Sequence, residues 1–174
     1  MNKIFACIAL TILFWTACVQ ADELENALQQ HGSWYSCIYM NSKDCSARMG
    51  TKRSSLDASL IIDFYKGGKD PVGIRLYSPL DFNAPPMDGR TNHGSIDIDG
   101  KQFCRASFAV YPVGASECAY VYPDKDLISA AAVAKQCTIH IINEFGVKRS
   151  FTFLLDGFAD AKSRTEYLHK QMLR

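Results

Sequence analysis

The stretch Ser95-Ile96-Asp97-Ile98-Asp99-Gly100-Lys101-Gln102-Phe103-Cys104-Arg105-Ala106-Ser107-Phe108-Ala109-Val110-Tyr111 decides the fold class. Ile96 and Ile98 alternate with Ser95, Asp97 and Asp99, the two-residue period of a strand with one buried face. Asp99-Gly100 is a pair that accepts left-handed backbone, as a two-residue hairpin turn requires. Lys101 to Tyr111 then returns with Cys104, Ala106, Phe108 and Val110 on one face. The stretch predicts an antiparallel hairpin, half buried.

The same pattern recurs outward from it. Ala58 to Tyr65 is rich in Leu, Ile, Phe and Tyr, breaks at Lys66-Gly67-Gly68-Lys69-Asp70-Pro71 and resumes as Val72 to Tyr77, a second hairpin. Thr138 to Asn143 and Val147 to Leu155 read as strands around Glu144-Phe145-Gly146. Pro79 to Asn92 carries three prolines and Gly89, which excludes a central strand. Helical spacing appears in three places: Leu24, Ala27 and Leu28 within Asp22 to Gln30; Leu127, Ile128, Ala131, Ala132 and Lys135 within Asp124 to Gln136; and Phe158, Ala161, Thr165, Leu168 and Met172 within Phe158 to Leu173. Hairpins dominate and no strand–helix–strand alternation occurs, so the expected class is mainly β, an antiparallel β-sandwich with peripheral helices.

Residues 1–21 read as a cleaved export signal: Lys3 gives a basic start, Ile4 to Trp15 an apolar core, and Val19-Gln20-Ala21 a small-x-small cleavage site. The apolar run Ile4 to Val19 would make a helix of about 24 Å, short of the roughly 30 Å hydrocarbon core, so no transmembrane anchor is expected after cleavage. Thr16-Ala17-Cys18 also resembles a lipoprotein processing site, with bulky Trp15 standing against it. The expected mature chain is a single domain, residues 22–174, in the periplasm, at the cell surface or secreted. Removing Lys3 from the 19 basic residues leaves 18 against 18 acidic ones. With no dominant field and basic residues interleaved with polar ones at Arg48, Lys52 and Arg53, nucleic acid is excluded as a partner.

Five cysteines remain beyond the signal: Cys37, Cys45, Cys104, Cys118 and Cys137. An exported location permits disulfides. Cys37 and Cys45 flank the polar Asn41-Ser42-Lys43-Asp44 and are paired first. Cys104 with Cys118 is the simplest second bridge, across a turn holding Pro112, Gly114 and Ser116. Cys137 is then the odd thiol, and pairings of Cys137 with Cys104 or Cys118 stay open. Intervals of 7, 58, 13 and 18 residues between successive cysteines contain no zinc knuckle, and no metal or other cofactor is expected.

Catalytic signatures are sparse. Asp97-x-Asp99-Gly100 lacks the later carboxylates of a calcium loop and reads as a turn. No nucleophile elbow, metalloprotease helix or phosphate-binding glycine loop occurs. Asp63 and Glu117 are carboxylates without an assigned partner, and Cys137 with His140 is the one thiol–imidazole combination. Both of the latter fall on one strand, where packing explains them. The expectation is a non-enzyme. Tyr111, Tyr120 and Tyr122 straddle the hairpin before Cys118 and are the sequence's candidate for a protein-binding patch. Trp34 and Phe158 are read as core anchors.

Taken in order, Gly32-Ser33-Trp34-x-x-Cys37, Cys45, Ile74 to Pro79-Leu80, Ile96-Asp97-Ile98-Asp99-Gly100, Cys118-Ala119, Asp126-Leu127-Ile128 and Leu155-Asp156-Gly157-Phe158-Ala159 resemble the invasion-associated locus B (IalB) family across nearly the whole expected mature chain. The resemblance implies an immunoglobulin-like, disulfide-stabilised sandwich, no cofactor and no catalytic residues. The family's first bridge carries over onto Cys37 and Cys45. Near Cys118 the chain departs from the pattern, with Tyr111 where a cysteine is usual and Glu117 in place of glycine. The implied function is that of an exported, virulence-associated envelope protein acting by contact with a protein partner in the envelope or on a host cell. The alternative is a periplasmic inhibitor or immunity protein that captures a hydrolase or toxin.

Overall fold

The computed structural model describes residues 28–40, 45–51, 58–66, 73–79, 91–113, 116–121, 125–143 and 145–174. The expected export signal, residues 1–21 with Cys7 and Cys18, residues 41–44 and most of the proline-rich run fall outside them. Ten strands are described: β1 (Gln29–His31), β2 (Trp34–Met40), β3 (Cys45–Thr51), β4 (Ser59–Tyr65), β5 (Gly73–Ser78), β6 (Thr91–Ile98), β7 (Lys101–Val113), β8 (Ser116–Val121), β9 (Gln136–Ile142) and β10 (Lys148–Leu154). Two helices accompany them, α1 (Lys125–Ala131) and α2 (Phe158–Met172).

All the described strands belong to one antiparallel sheet of order β1-β2-β3-β4-β5-β8-β7-β6-β9-β10. The mainly β class is as expected. The hydrogen-bond ladder is continuous, however, and is not divided into two sheets. β6, β7 and β8 form a meander whose last strand lies beside β5, so β5 to β8 make a Greek key.

The deciding hairpin is β6–β7. Asp99 and Gly100 sit at φ of 49° and 77°, the left-handed pair of a turn that twists with its strands. The ladder slips by one residue after Ile96, a bulge that sharpens the local bend. Asp99 does more than turn the chain. Its Oδ1 accepts the backbone N–H groups of Lys135 and Gln136 at 2.9 and 3.0 Å, and its own N–H donates to Gln136 O at 3.0 Å. The expected turn thereby also fixes the start of β9 by clamping its backbone.

Two helical expectations change. Gln29 and Gln30 lie in β1, paired with Ser36 and Tyr35, so the leading helix does not reach Gln30. α1 ends at Ala131 and Gln136 already opens β9. Residues Leu127, Ile128 and Ala131 are buried as the stripe predicted.

One apolar cluster fills the curled sheet. The curl is closed where the β1–β2 turn meets the β10–α2 turn. Ser33 N–H donates to Asp156 O at 3.1 Å. The Trp34 indole Nε1–H donates to Leu154 O at 2.8 Å. Its ring meets Phe158 edge to face at 4.7 Å between centroids. Gly157 opens α2 at φ 79°, with the carbonyl of His31 where a Cβ would be, and Gly32 at φ 54° lies equally close to Asp156. Both glycines are required twice, by backbone sign and by contact. Trp34 and Phe158 are thus core anchors, as expected.

Candidate functional site

Beside Trp34 the packed interior holds a void of about 20 Å³, about one water's worth. The larger space, about 340 Å³, opens on the opposite face of the sheet between Tyr39, Arg48, Ser59, Ile61, Tyr65, Arg75 and Tyr77. Strand alternation explains the division. Ala47, Met49, Leu60, Ile62, Phe64, Ile74 and Leu76 point to the core, so Arg48, Asp63 and Arg75 must point away from it.

Register then assembles them. Arg48 lies directly opposite Asp63 across β3–β4, and Arg75 is a diagonal neighbour on β5, because Asp63 pairs with Gly73. Asp63 is only 2% exposed, against 12% for Arg48 and 20% for Arg75. Its Oδ1 accepts from Arg48 Nε and Ser46 Oγ, both at 2.8 Å, and its Oδ2 from Arg75 Nη2. The carboxylate is satisfied, as a buried charge must be. Two guanidiniums face one carboxylate.

Tyrosines frame the floor. The Arg48 guanidinium carbon stands 3.5 Å from the Tyr39 ring centroid and that of Arg75 stands 6.0 Å from Tyr77, within cation–π range. Tyr35 lies over Gly50 and Tyr120 over Gly73, each ring occupying the place of a missing side chain. Burial pushes the Tyr35 and Tyr77 hydroxyls up from their usual value, opposed by the nearby arginines. Tyr111, half exposed, is opposite Cys118 on β7–β8 and shares this face with Tyr120. Tyr122 and the side chain of Glu117 lie outside the described residues.

The register gives each described cysteine its cross-strand neighbours. All five are thiols in this structure. Cys37 pairs with Arg48 while Cys45 pairs with Met40, an odd offset of three positions that sends the two to opposite faces. Cys104 pairs with Ile96, and Cys118 with Tyr111 and Tyr77. Seven steps along β7 lead from Cys104 to Tyr111, roughly 23 Å of strand and far beyond disulfide reach. The described register brings neither expected pair together.

Nor does Cys137 join His140. On β9 the two alternate to opposite faces, Cys137 buried among core residues. Burial, reinforced by Cys104 and Asp97, pushes its thiol from 9.0 up to about 12. Burial likewise raises Cys37 and Cys118. These are protonated, weakly nucleophilic thiols. The sign for stability follows. Below pH 9 folded and unfolded chains both hold the Cys137 proton; between about 9 and about 12 only the folded chain does, so stability falls as pH rises through that window. Urea titrations from pH 8 to 11 are expected to show a progressive loss that Cys137→Val reduces. An unchanged alkaline slope in that variant would contradict the burial.

His140 belongs instead to a surface row, its Nδ1 2.7 Å from Ser150 Oγ and its Nε2 3.1 Å from Asp97 Oδ2. The residue types are those of a hydrolase triad, but the nitrogens are used in the reverse order. Ser150 and Ser95 are both direct cross-strand partners of His140, so the row lies along the sheet and is read as a polar ladder. Among the described residues no group of three His, Cys, Asp or Glu converges for a metal, and no helix is long and apolar enough to cross a membrane.

Neither a family model nor a curated protein matches this chain. Among solved structures it is similar to the crystal structure of invasion associated protein B from Bartonella henselae, with a TM-score of 0.57 and 14% identity over 83% of this chain and 98% of that one. At that identity the likeness is one of fold.

Proposed function

We propose that this chain is a non-enzymatic, exported envelope protein that works by protein contact, and that the arginine- and tyrosine-lined face over Asp63 is its contact surface. The observation that carries the reading is the composition of that face. Tyrosine and arginine are enriched at binding hot spots, tyrosine because it buries large area at low cost in ordering and arginine because its planar fork makes several directed hydrogen bonds. Here they surround a hollow whose floor is already fixed by ion pairing. The fold shared with invasion associated protein B supports a role related to the one that protein's name records, and the N-terminal sequence supports export to the envelope.

The test is affinity capture from the organism's own envelope extract with three immobilised proteins: the unsubstituted chain, Tyr39→Ala and Arg75→Gln. A defined partner retained by the first and lost by both variants is expected. Retention unaffected by either substitution would contradict the assignment of the surface. Turnover of an envelope substrate that depends on His140 or Ser150 would contradict the non-enzymatic reading.

A further inference from the structure

Resting on that contact reading, we propose that the hollow over Asp63 receives one carboxylate joined to an aromatic or aliphatic body, presented by a protein partner. Charge gives the sign and the number. Asp63 faces the guanidiniums of both Arg48 and Arg75, which leaves one positive charge in excess among these groups. Both cations are largely withdrawn from water, so an anion is favoured there far more than at an open surface. A single negative charge balances the floor; a phosphate dianion overshoots it and meets Asp63 at close range.

The donors fit a planar acceptor. Each guanidinium carries five N–H groups in a rigid fork, and the contacts to Asp63 use Nε of Arg48 and one Nη of Arg75. The Tyr39 ring stacked at 3.5 Å holds the Arg48 fork in position. Ile61, Tyr65 and Tyr77 complete the walls with apolar surface. A volume of about 340 Å³ lies at the low end of ligand sites and suits one anchoring residue with its carboxylate. The face also continues beyond the hollow to Tyr111 and Tyr120, on strands that a free small acid would not touch. That continuity favours an acid carried on a protein chain.

The test uses the folded chain and NMR titration with five probes: 3-phenylpropionate, its amide, inorganic phosphate, and a hexapeptide ending in phenylalanine with either a free or an amidated C-terminus. The free acid and the free-ended peptide are expected to shift resonances of Arg48, Arg75, Tyr39 and Tyr77. Their amides are expected to bind about tenfold more weakly or worse, the value of a charge-assisted hydrogen bond. The peptide is expected to bind more tightly than the small acid. Arg75→Gln, which leaves Arg48 and Ser46 on Asp63, removes the preference for acid over amide. Should that variant not fold, the acid–amide comparison on the unsubstituted protein decides alone.

Equal binding of acid and amide, or phosphate displacing the acid, overturns the proposal. A peptide no tighter than the small acid overturns the protein source. If every carboxylate fails while envelope capture still depends on Tyr39 and Arg75, this inference falls and the contact reading stands. If carboxylates bind while capture is independent of those residues, the contact reading falls.

Discussion

Trp34→Ala is expected to lower unfolding free energy by about 3–5 kcal/mol, the usual cost of truncating a fully buried aromatic. Trp34 is 0% exposed and holds the edge of Phe158 and the carbonyl of Leu154 at once, next to Ser33, whose N–H donates to Asp156 O. Because these contacts join β2 to β10 and α2, losing them loosens the closure of the whole sheet. Against a typical total of about 5–15 kcal/mol, the variant should be partly unfolded at modest urea. Trp34→Phe separates the two contributions, keeping most of the apolar volume while orphaning Leu154 O, at about 1–3 kcal/mol. A shift in urea midpoint equivalent to less than about 1 kcal/mol for Trp34→Ala would show that the sheet closes without this wedge.

The second large effect is expected at Asp63. Asp63→Ala leaves two mostly buried guanidiniums without their carboxylate and orphans Ser46 Oγ, at about 3–5 kcal/mol. Arg75→Gln should cost less, since Arg48 and Ser46 remain on Oδ1. The informative comparison replaces the whole cluster by apolar residues: Arg48→Met, Asp63→Leu and Arg75→Leu together. A buried ion cluster adds little net stability over well-packed apolar side chains, so the triple variant is expected to regain much of the stability lost by Asp63→Ala. It should bind no carboxylate. A triple variant as unstable as Asp63→Ala would mean that the cluster is structural, and that the hollow above it is incidental.

Much of the architecture was legible because local chemistry specified it. Asp99-Gly100 can hardly serve except as a tight turn. The one-sided apolar rows of β4, β7 and β9, and the three-and-four spacing from Phe158 to Met172, define buried faces without help from distant residues. Where the reading failed, the deciding contacts were remote. Gln29 and Gln30 become strand through pairing with β2, not through their own preference. Arg48 read as part of a solvated basic cluster because its partner lies fifteen residues away on the next strand.

The site itself left one signal: Asp63 interrupts the apolar run Leu60-Ile61-Ile62-Asp63-Phe64. A carboxylate in a strand that is otherwise buried demands a cation beside it. Which cations answer cannot be read until the order β3-β4-β5 is known. Tyr35 was hidden similarly; Tyr120 was singled out beside Tyr111, but its place over Gly73, like that of Tyr35 over Gly50, belongs to a neighbouring strand.

The most direct measurement is in-cell photo-cross-linking from two positions, Tyr39 at the rim of the hollow and Thr152 on β10, each replaced by a photoreactive phenylalanine. The account predicts a discrete protein adduct from position 39 that disappears when Arg75→Gln is added, and no such adduct from position 152. Equal adducts from both positions, or an adduct at 39 that survives loss of Arg75, would contradict it.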